Sequence, residues 1–193
     1  PCQDVSIVVQ EQGQRLIKPA MWWLLLDANE QGFKPSKYTS FNTRYDKVNL
    51  RGSAGYESFR QQRCIIPASG FGETLFLNKK PLKYHNMTAQ DNAIAFAGLY
   101  KTWRHQATGE FSYSCSIITN APHLKLAQIH TTASPAMLTP EQFDLWLDPN
   151  QQHVELFDDV LKPRIVNDLL AQQINKPSLR EPVGASFMIT ADQ

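Results

Sequence analysis

The sequence predicts one α+β domain with a mainly antiparallel sheet and short helices. Short strand-like runs follow one another through most of the 193 residues, and the helical signals are concentrated toward the end of the chain. The sequence contains no internal repeat, no low-complexity tract and no linker-like segment. Many short strands with a few inserted helices indicate a single mixed domain.

The strand-like runs can be placed in chain order. They cover residues 5–9, 15–26 with an interruption at a proline, 38–45, 63–77, 82–87, 93–103 and 111–119. In the last run Phe111, Tyr113, Cys115 and Ile117 alternate with polar residues and should share one face. The polar segment 27–37 contains a glycine and a proline and is predicted to be a loop.

Helices are predicted at residues 56–62 and 123–129, from Pro140 through Trp146, and at 154–161. The third has a clear start. Thr139 is placed as its N-cap, Pro140 at the first helical position, and Gln142 where a capping box requires Glu or Gln.

The composition is that of an ordinary folded protein. Apolar residues make up 42% of the chain and charged residues 19%, which argues against disorder. Lys plus Arg is 19 and Asp plus Glu is 18, so the net charge of +1 gives no signal for nucleic acid or membrane, although it allows a local basic groove. The longest apolar run, Met21 to Leu26, is too short to span a bilayer, and no signal peptide is recognisable.

The three cysteines have no C-x-x-C spacing. Cys64 and Cys115 lie in apolar runs, so we expect buried, reduced thiols and a cytoplasmic location. The histidines at 85, 105, 123 and 153 have no metal-ligand spacing with any cysteine or carboxylate, so we expect no zinc site and no cofactor. Nucleophile-elbow, P-loop and dinucleotide-binding motifs do not occur.

The stretch Arg63–Glu73 is the most informative part of the chain. The uncharged run Cys64–Ile66 predicts a buried strand that Pro67 should end, and a turn rich in Ser and Gly follows. Phe71 and Glu73 then lie at period two and should share one face of the next strand. A carboxylate beside apolar groups has a raised pKa, which suits acid–base chemistry, and the alternative is a strand glutamate directed at water.

Four other residues are candidates, each with an ordinary alternative. Asn42 can hold a substrate hydroxyl or carbonyl, or bond its own backbone in a turn, and Arg44 can contact a phosphate or be solvated. Thr119 ends a predicted strand. His130 can act as acid or base near neutral pH, or can be a surface or helix-capping histidine.

The order of these motifs resembles the SRAP family, the SOS-response-associated peptidases. The order is Asn-x-Arg, then Arg-Cys-Ile-Ile-Pro-Ala-Ser-Gly-Phe-x-Glu, then a strand ending in Thr, then Ile-His before an Ala-Met-Leu-Thr-Pro-Glu helix start. The central motif is the specific part. The resemblance runs from Pro1 to about Trp146, and the tail after Asp148 matches poorly.

The resemblance implies a barrel-like sheet core and a DNA-damage function. Members of the family bind single-stranded DNA with an abasic site and crosslink to it through an N-terminal cysteine, which removal of the initiator Met exposes. The amine and thiol of that cysteine close a thiazolidine on the ring-opened sugar aldehyde. The partner implied for this chain is abasic single-stranded DNA, and we expect a monomer with no membrane association.

The resemblance also assigns roles to residues. Asn42 matches the asparagine that positions the cysteine and the sugar. Glu73 matches the catalytic glutamate, which moves protons and is tied to self-removal of the residues before the cysteine. His130 matches the histidine that helps open the sugar ring and reverse the crosslink. Arg44 matches a phosphate-binding arginine, and Thr119 lies where a DNA-contacting threonine is expected.

The chain departs from the family at its start. The family begins Met-Cys-Gly-Arg, whereas the segment Pro1–Val5 resembles an internal family segment. We therefore expect residues 1–193 to be a single SRAP-like domain that lacks its native N-terminal segment, with the crosslinking cysteine outside this sequence and Cys2 outside the site.

Further departures lie around the site. Gly72 and Thr74 flank the glutamate where the family often has Tyr and Trp, and the residues after the histidine, 131–133, are Thr-Thr-Ala instead of an arginine and Met-Pro. The segment 29–37 replaces a tryptophan-rich loop. Two rivals follow: a divergent member that only binds single-stranded DNA, and a hydrolase or peptidase that uses Glu73 and His130 on another substrate.

Overall fold

The computed structural model of the chain describes residues 2–192, which form thirteen strands and four short α-helices. The strands are β1 Asp4–Glu11, β2 Gln14–Trp22, β3 Leu26–Asn29, β4 Gly32–Pro35, β5 Asn42–Arg44, β6 Arg63–Ala68, β7 Gly70–Leu77, β8 Lys80–Ala89, β9 Ile94–Arg104, β10 Phe111–Asn120, β11 Ser134–Pro135, β12 Leu169–Ile174 and β13 Phe187–Ile189. The helices are α1 Tyr45–Val48, α2 Tyr56–Gln61, α3 Phe143–Leu147 and α4 Phe157–Val160. No helix in this part of the chain is long and apolar enough to cross a membrane.

Five strands close into a barrel. They pair in the order β10, β2, β1, β6 and β9, and β9 pairs back onto β10. The β1–β2 hairpin and the β6–β9 and β9–β10 pairs are antiparallel, whereas β10 runs parallel to β2 and to β5. Closure leaves no long unpaired sheet edge in the barrel. The prediction of an α+β domain with a mainly antiparallel, barrel-like core is confirmed.

A second sheet, in the order β13, β12, β8 and β7, packs on one side of the barrel. Its inner face contributes Met87, Leu169 and Ala171 to the same hydrophobic cluster as Ile66 and Phe96 of the barrel. Side chains alternate along β7, so the residues that share a face with Phe71 lie over this cluster. This sheet determines where Glu73 lies.

Short helices cover another part of the barrel and pack around Arg63. The Arg63 side chain is almost fully buried, with 3% of its surface exposed, and burial lowers its pKa to about 10. Its guanidinium group donates to five backbone carbonyl oxygens, those of Phe59, Arg60, Trp146, Asp148 and Gln151. Arg63 therefore joins α2, the barrel and the segment after α3.

The structure corrects several local predictions. The proline in 15–26 does not interrupt its strand, because β2 runs through it, and the strand predicted at 38–45 covers only 42–44. Residues 27–37 are not a loop but contain the β3–β4 hairpin, whose turn is stabilised because the Asn29 side chain accepts a 2.9 Å hydrogen bond from the amide of Gln31. Pro67 does not end its strand. The pairing of β6 with β1 is limited to Val8 opposite Ile65, so the missing amide of the proline breaks no ladder there, and β6 continues past Pro67 against β9. The segment 123–129 contains only a 3₁₀ turn, at 124–126.

Other predictions are confirmed. Helical turns occur at 56–61, 143–147 and 154–160, and the amide of Thr139 donates to the Gln142 side chain at 3.0 Å, as the capping box requires. Tyr113, Cys115 and Ile117 share the face that packs on the hydrophobic cluster between the barrel and the second sheet, whereas Phe111 is exposed at the end of the strand. The thiols of Cys64 and Cys115 are free and buried.

Candidate acid–base site

The structure brings Glu73 and His130 into contact. His130 Nδ1 lies 3.3 Å from Glu73 Oε2 and 2.9 Å from the carbonyl oxygen of Thr74. Both side chains are largely buried, with 16% of the histidine and 22% of the glutamate exposed. The two residues are far apart in the sequence, so the fold alone creates the pair.

Glycine at position 70 allows β7 to approach β8 closely enough to place Glu73. A Cβ atom on Gly70 would lie 2.2 Å from the backbone oxygen of Met87, a distance that no side chain tolerates. Phe71 follows and packs edge-on against Phe96, with ring centroids 5.6 Å apart. Glu73 lies two residues further along the same face and is therefore directed toward the margin of the core.

His130 is held by the turn that precedes it. The amides of Ile129 and His130 both donate to the carbonyl oxygen of Leu126 at 2.8 Å. Leu126 and Ile129 are buried in the cluster beneath the second sheet. This buried turn fixes the backbone at the point where the imidazole extends toward β7.

The hydrogen bonds of the imidazole indicate its tautomer. A carbonyl oxygen can only accept, so Nδ1 carries a hydrogen and donates it to Thr74. Nε2 of the neutral ring then holds the lone pair, and the Thr132 hydroxyl, 2.6 Å away, donates to it. The basic atom of His130 is thus Nε2, on the side of the ring away from Glu73.

Burial raises the pKa of Glu73, while the charge of His130 and the amide of Thr74 act in the opposite direction. When His130 takes up a proton at Nε2, its Nδ1–H faces the Glu73 carboxylate, which stabilises the imidazolium. The carboxyl–imidazole pair can therefore accept and return a proton at Nε2 of His130.

Sequence reasoning did not identify the contact between Thr132 and His130. It noted residues 131–133 only as a departure from the family pattern, although Thr132 provides the hydrogen bond to His130 Nε2. A hydroxyl two residues after a candidate histidine is the only signal in the sequence, and it is too common to be diagnostic.

Asn42, Arg44 and Thr119 lie where β5 pairs with β10. Arg44 pairs with Thr119, and Asn42 with Ile117. Asn42 and Arg44 are exposed and line a cleft of about 190 Å³, whereas Thr119 is buried, with 8% of its surface exposed. No hydrogen bond within residues 2–192 joins these side chains to Glu73 or His130.

Arg44 is already paired. Its Nε and Nη2 donate to the two carboxylate oxygens of Asp46 at 2.9 and 2.6 Å, on the protein surface. A phosphate bound by Arg44 has to compete with this bidentate pair.

Cys2 is exposed and lies beside the end of β2, where its amide donates to the carbonyl oxygen of Trp22 at 3.3 Å. The Trp22 indole in turn donates to the carbonyl oxygen of Phe41, next to Asn42. The backbone of Cys2 has a φ of 62°. These contacts place Cys2 near β5 and assign no chemical role to its thiol.

Together, the closed barrel, the second sheet and the largely buried carboxyl–imidazole pair define a small α+β protein with a site suited to proton transfer. A family model described as SOS response associated peptidase (SRAP) matches residues 1–177. The chain belongs to the SRAP family.

The family match extends beyond the limit that the sequence analysis placed near Trp146. The reason is structural, because residues after Asp148 are part of the same fold. The Gln151 carbonyl oxygen accepts from Arg63, and β12 pairs with β8 in the sheet that carries Glu73. The expectation that the tail matches poorly was wrong as far as residue 177.

Curated relatives carry names that describe DNA processing. The abasic site processing protein YoqW of Bacillus subtilis (strain 168) is 28% identical over 193 residues, covering 94% of this chain and 81% of that protein. YobE of the same organism, with the same description, is 29% identical and covers 94% and 83%. The abasic site processing protein HMCES of Xenopus tropicalis is 25% identical and covers 67% of this chain and 44% of that protein.

Solved structures share the fold. A crystal structure of a Bacteroides thetaiotaomicron protein has a TM-score of 0.70 at 22% identity and covers 95% of this chain and 82% of that one. A Bordetella bronchiseptica protein has a TM-score of 0.72 at 18% identity, covering 91% and 86%. At these identities the likeness concerns the fold alone.

Proposed function

We propose that this protein recognises and processes abasic sites in single-stranded DNA, and that Glu73 and His130 exchange protons with the sugar at the lesion. The observation that carries the proposal is the 3.3 Å contact between these two side chains in a member of the SRAP family. The names of the Bacillus relatives support the substrate class.

The proposed chemistry begins with the sugar. An abasic sugar is a cyclic hemiacetal, and opening its ring moves a proton from the C1 hydroxyl to the ring oxygen. His130 Nε2 accepts the proton of the C1 hydroxyl and returns it to the ring oxygen, while the Glu73 carboxylate stabilises the imidazolium between the two steps. The product of this step is a free aldehyde.

We further propose that the aldehyde is captured by an N-terminal cysteine encoded upstream of Pro1. Its amine adds to the aldehyde and loses one water, and its thiol then adds to the imine carbon to close a thiazolidine. Cys2 cannot do this, because its nitrogen is in a peptide bond with Pro1. Its thiol alone could form only a reversible hemithioacetal. Asn42 is proposed to position the cysteine and the sugar, with Arg44 and Thr119 on the DNA.

The test is a denaturing gel with a labelled single-stranded oligonucleotide that carries one abasic site. The 193-residue chain should form no adduct that survives denaturation, and the product of the complete open reading frame should form one. In the latter, Cys2→Ser should change little and Glu73→Gln should slow adduct formation while binding stays nearly intact. An adduct of the 193-residue chain that Cys2→Ser abolishes would refute the assignment of the nucleophile.

The same experiment separates the rival functions. Binding of abasic and undamaged strands with equal affinity and without adduct in every form would indicate a member that only binds DNA. Cleavage of a peptide or ester by the 193-residue chain that Glu73→Gln and His130→Asn both abolish would indicate a hydrolase. We also propose that residues 1–193 act as one monomeric domain without a cofactor, which size-exclusion chromatography with light scattering and metal analysis would test.

A further inference from the structure

We propose that the hairpin formed by residues 74–83 is a binding site for the single-stranded DNA that flanks the lesion. In this site Phe76 stacks on a base, and Lys79, Lys80 and Lys83 contact backbone phosphates. The inference rests on the function proposed above and deepens it, because it places the strand beyond the sugar.

The hairpin exposes apolar side chains that a folded core would normally bury. Phe76, Leu77 and Leu82 are 51%, 58% and 52% exposed. They follow the irregularity in β7 between Leu75 and Phe76, where the register with β8 shifts. An aromatic ring held in the open on a strand is a surface on which a base of any identity can stack.

The charge of the hairpin has one sign. Between Thr74 and Gln90 the sequence contains three lysines and neither aspartate nor glutamate. All three lysines are exposed, and none takes part in the ion pairs found within residues 2–192. By contrast, Arg44 is paired with Asp46. The uncompensated lysines suit a polyanion.

The turn of the hairpin has a regular backbone geometry. Leu77 pairs with Lys80, so Asn78 and Lys79 form a two-residue turn. Both have positive φ values, 50° and 64°, which is the backbone geometry that matches the twist of a two-stranded hairpin.

The hairpin also continues directly from the acid–base site. Phe76 lies on the same strand as Glu73, and three residues at ~3.4 Å each place it roughly 10 Å away. The carbonyl oxygen that accepts from His130 belongs to Thr74, the first residue of the hairpin. Side chains alternate along β7, so Phe76 leaves the face opposite to Glu73. Because β7 is the edge strand of its sheet, a DNA strand whose abasic sugar lies at His130 reaches Phe76 by passing around that edge.

The combination favours a single strand over a duplex or a protein. Stacking on Phe76 requires an unpaired base, which a duplex does not offer. A protein partner would be expected to use the apolar residues without needing three unpaired lysines. Lys80 and Lys83 pair with Leu77 and Leu75 and therefore lie on the Glu73 face of the hairpin. A DNA strand that passes around the edge of the hairpin meets lysines on this face and the Phe76 ring on the other.

Fluorescence anisotropy with a labelled, undamaged oligothymidine tests the inference separately from lesion processing. Phe76→Ala should weaken binding roughly 5- to 150-fold, the range typical for loss of one base stack. The triple change of Lys79, Lys80 and Lys83 to Gln should reduce the slope of log affinity against log salt by up to about 2. Phe111→Ala and Lys34→Gln, exposed residues of the same types on other strands, are the matched controls and should change neither quantity.

The outcomes distinguish the two proposals. If wild type binds the oligothymidine and the hairpin variants bind equally well, the hairpin inference is overturned and the proposed function stands. If wild type binds neither undamaged nor abasic strands, both are overturned. If Phe76→Ala weakens binding to duplex as much as to single strands, base stacking is overturned. Because all four residues are exposed, melting temperatures should match wild type and exclude a folding defect.

Discussion

Arg63→Lys should destabilise the fold strongly, although it conserves the charge. Arg63 Nε donates to the Trp146 carbonyl oxygen at 2.7 Å, and the two terminal nitrogens serve the carbonyl oxygens of Phe59, Arg60, Asp148 and Gln151. The guanidinium carbon also lies 4.5 Å from the centroid of the Phe157 ring. A planar fork with five N–H donors is required to reach all of these groups.

The magnitude follows from the number of donors. A lysine ammonium has three N–H groups at one point, so at least two of the five carbonyl oxygens lose their partner. A buried unsatisfied acceptor costs about 1–3 kcal/mol, which gives about 2–6 kcal/mol in total. For a chain of this size, such a loss corresponds to a fall in melting temperature of roughly 4–24 °C.

Urea unfolding and thermal melting followed by circular dichroism measure the effect. Arg60→Lys is the matched control, because Arg60 lies nearby, bonds the exposed Asn49 side chain and the Tyr56 carbonyl oxygen, and is only half-buried. Its replacement should cost at most about 1 kcal/mol. If Arg63→Lys melts within about 2 °C of Arg60→Lys, the five hydrogen bonds do not stabilise the fold and the reasoning is refuted.

Three further predictions concern the site. Burial raises the pKa of Glu73 in the folded state above its unfolded value, so the folded protein loses stability as pH rises above the unfolded-state pKa and the carboxyl ionises. Glu73→Gln should therefore unfold at a higher urea concentration than wild type at pH 7. This difference should vanish below about pH 4.5. Thr132→Val should alter the ¹⁵N shift of His130 Nε2 and shift the pH profile of abasic-site processing, and Thr132→Ser should restore both; an unchanged ¹⁵N shift would exclude the hydrogen bond. Arg44→Ala should weaken single-strand binding and lower the slope of log affinity against log salt by roughly 0.7. Asp46→Asn should strengthen binding because it frees the Arg44 guanidinium. If both variants bind with the same affinity as each other, Arg44 does not contact a phosphate.

The residues around Glu73 illustrate what could be predicted. The uncharged run of β6, the glycines after it and the period-two spacing of Phe71 and Glu73 are local patterns, and the structure has β6 buried and Phe71 and Glu73 on one face of β7. The raised pKa of Glu73 was also predicted, because a carboxylate beside a buried strand loses water whatever the rest of the fold does.

The β3–β4 hairpin and the turn before His130 show where local patterns fail. Polar residues in 27–37 suggested a loop, but strand pairing satisfies their backbone groups at the surface without needing apolar side chains. The apolar spacing of 123–129 suggested a helix. That segment folds as a 3₁₀ turn because its buried residues, Leu126 and Ile129, are fixed by the second sheet and not by their neighbours in the chain.

The sequence by itself determined the fold class, the buried thiols, the strands of the barrel and the central motif, since alternation and apolar runs act between residues close in the chain. Only the tertiary structure decided that His130 contacts Glu73 and that Thr132 bonds Nε2 of the imidazole. The same holds for the five carbonyl oxygens that Arg63 binds. These contacts depend on the closure of the barrel and on the packing of the second sheet. Such long-range geometry is set by the burial of the whole core and leaves no periodic trace in any one segment.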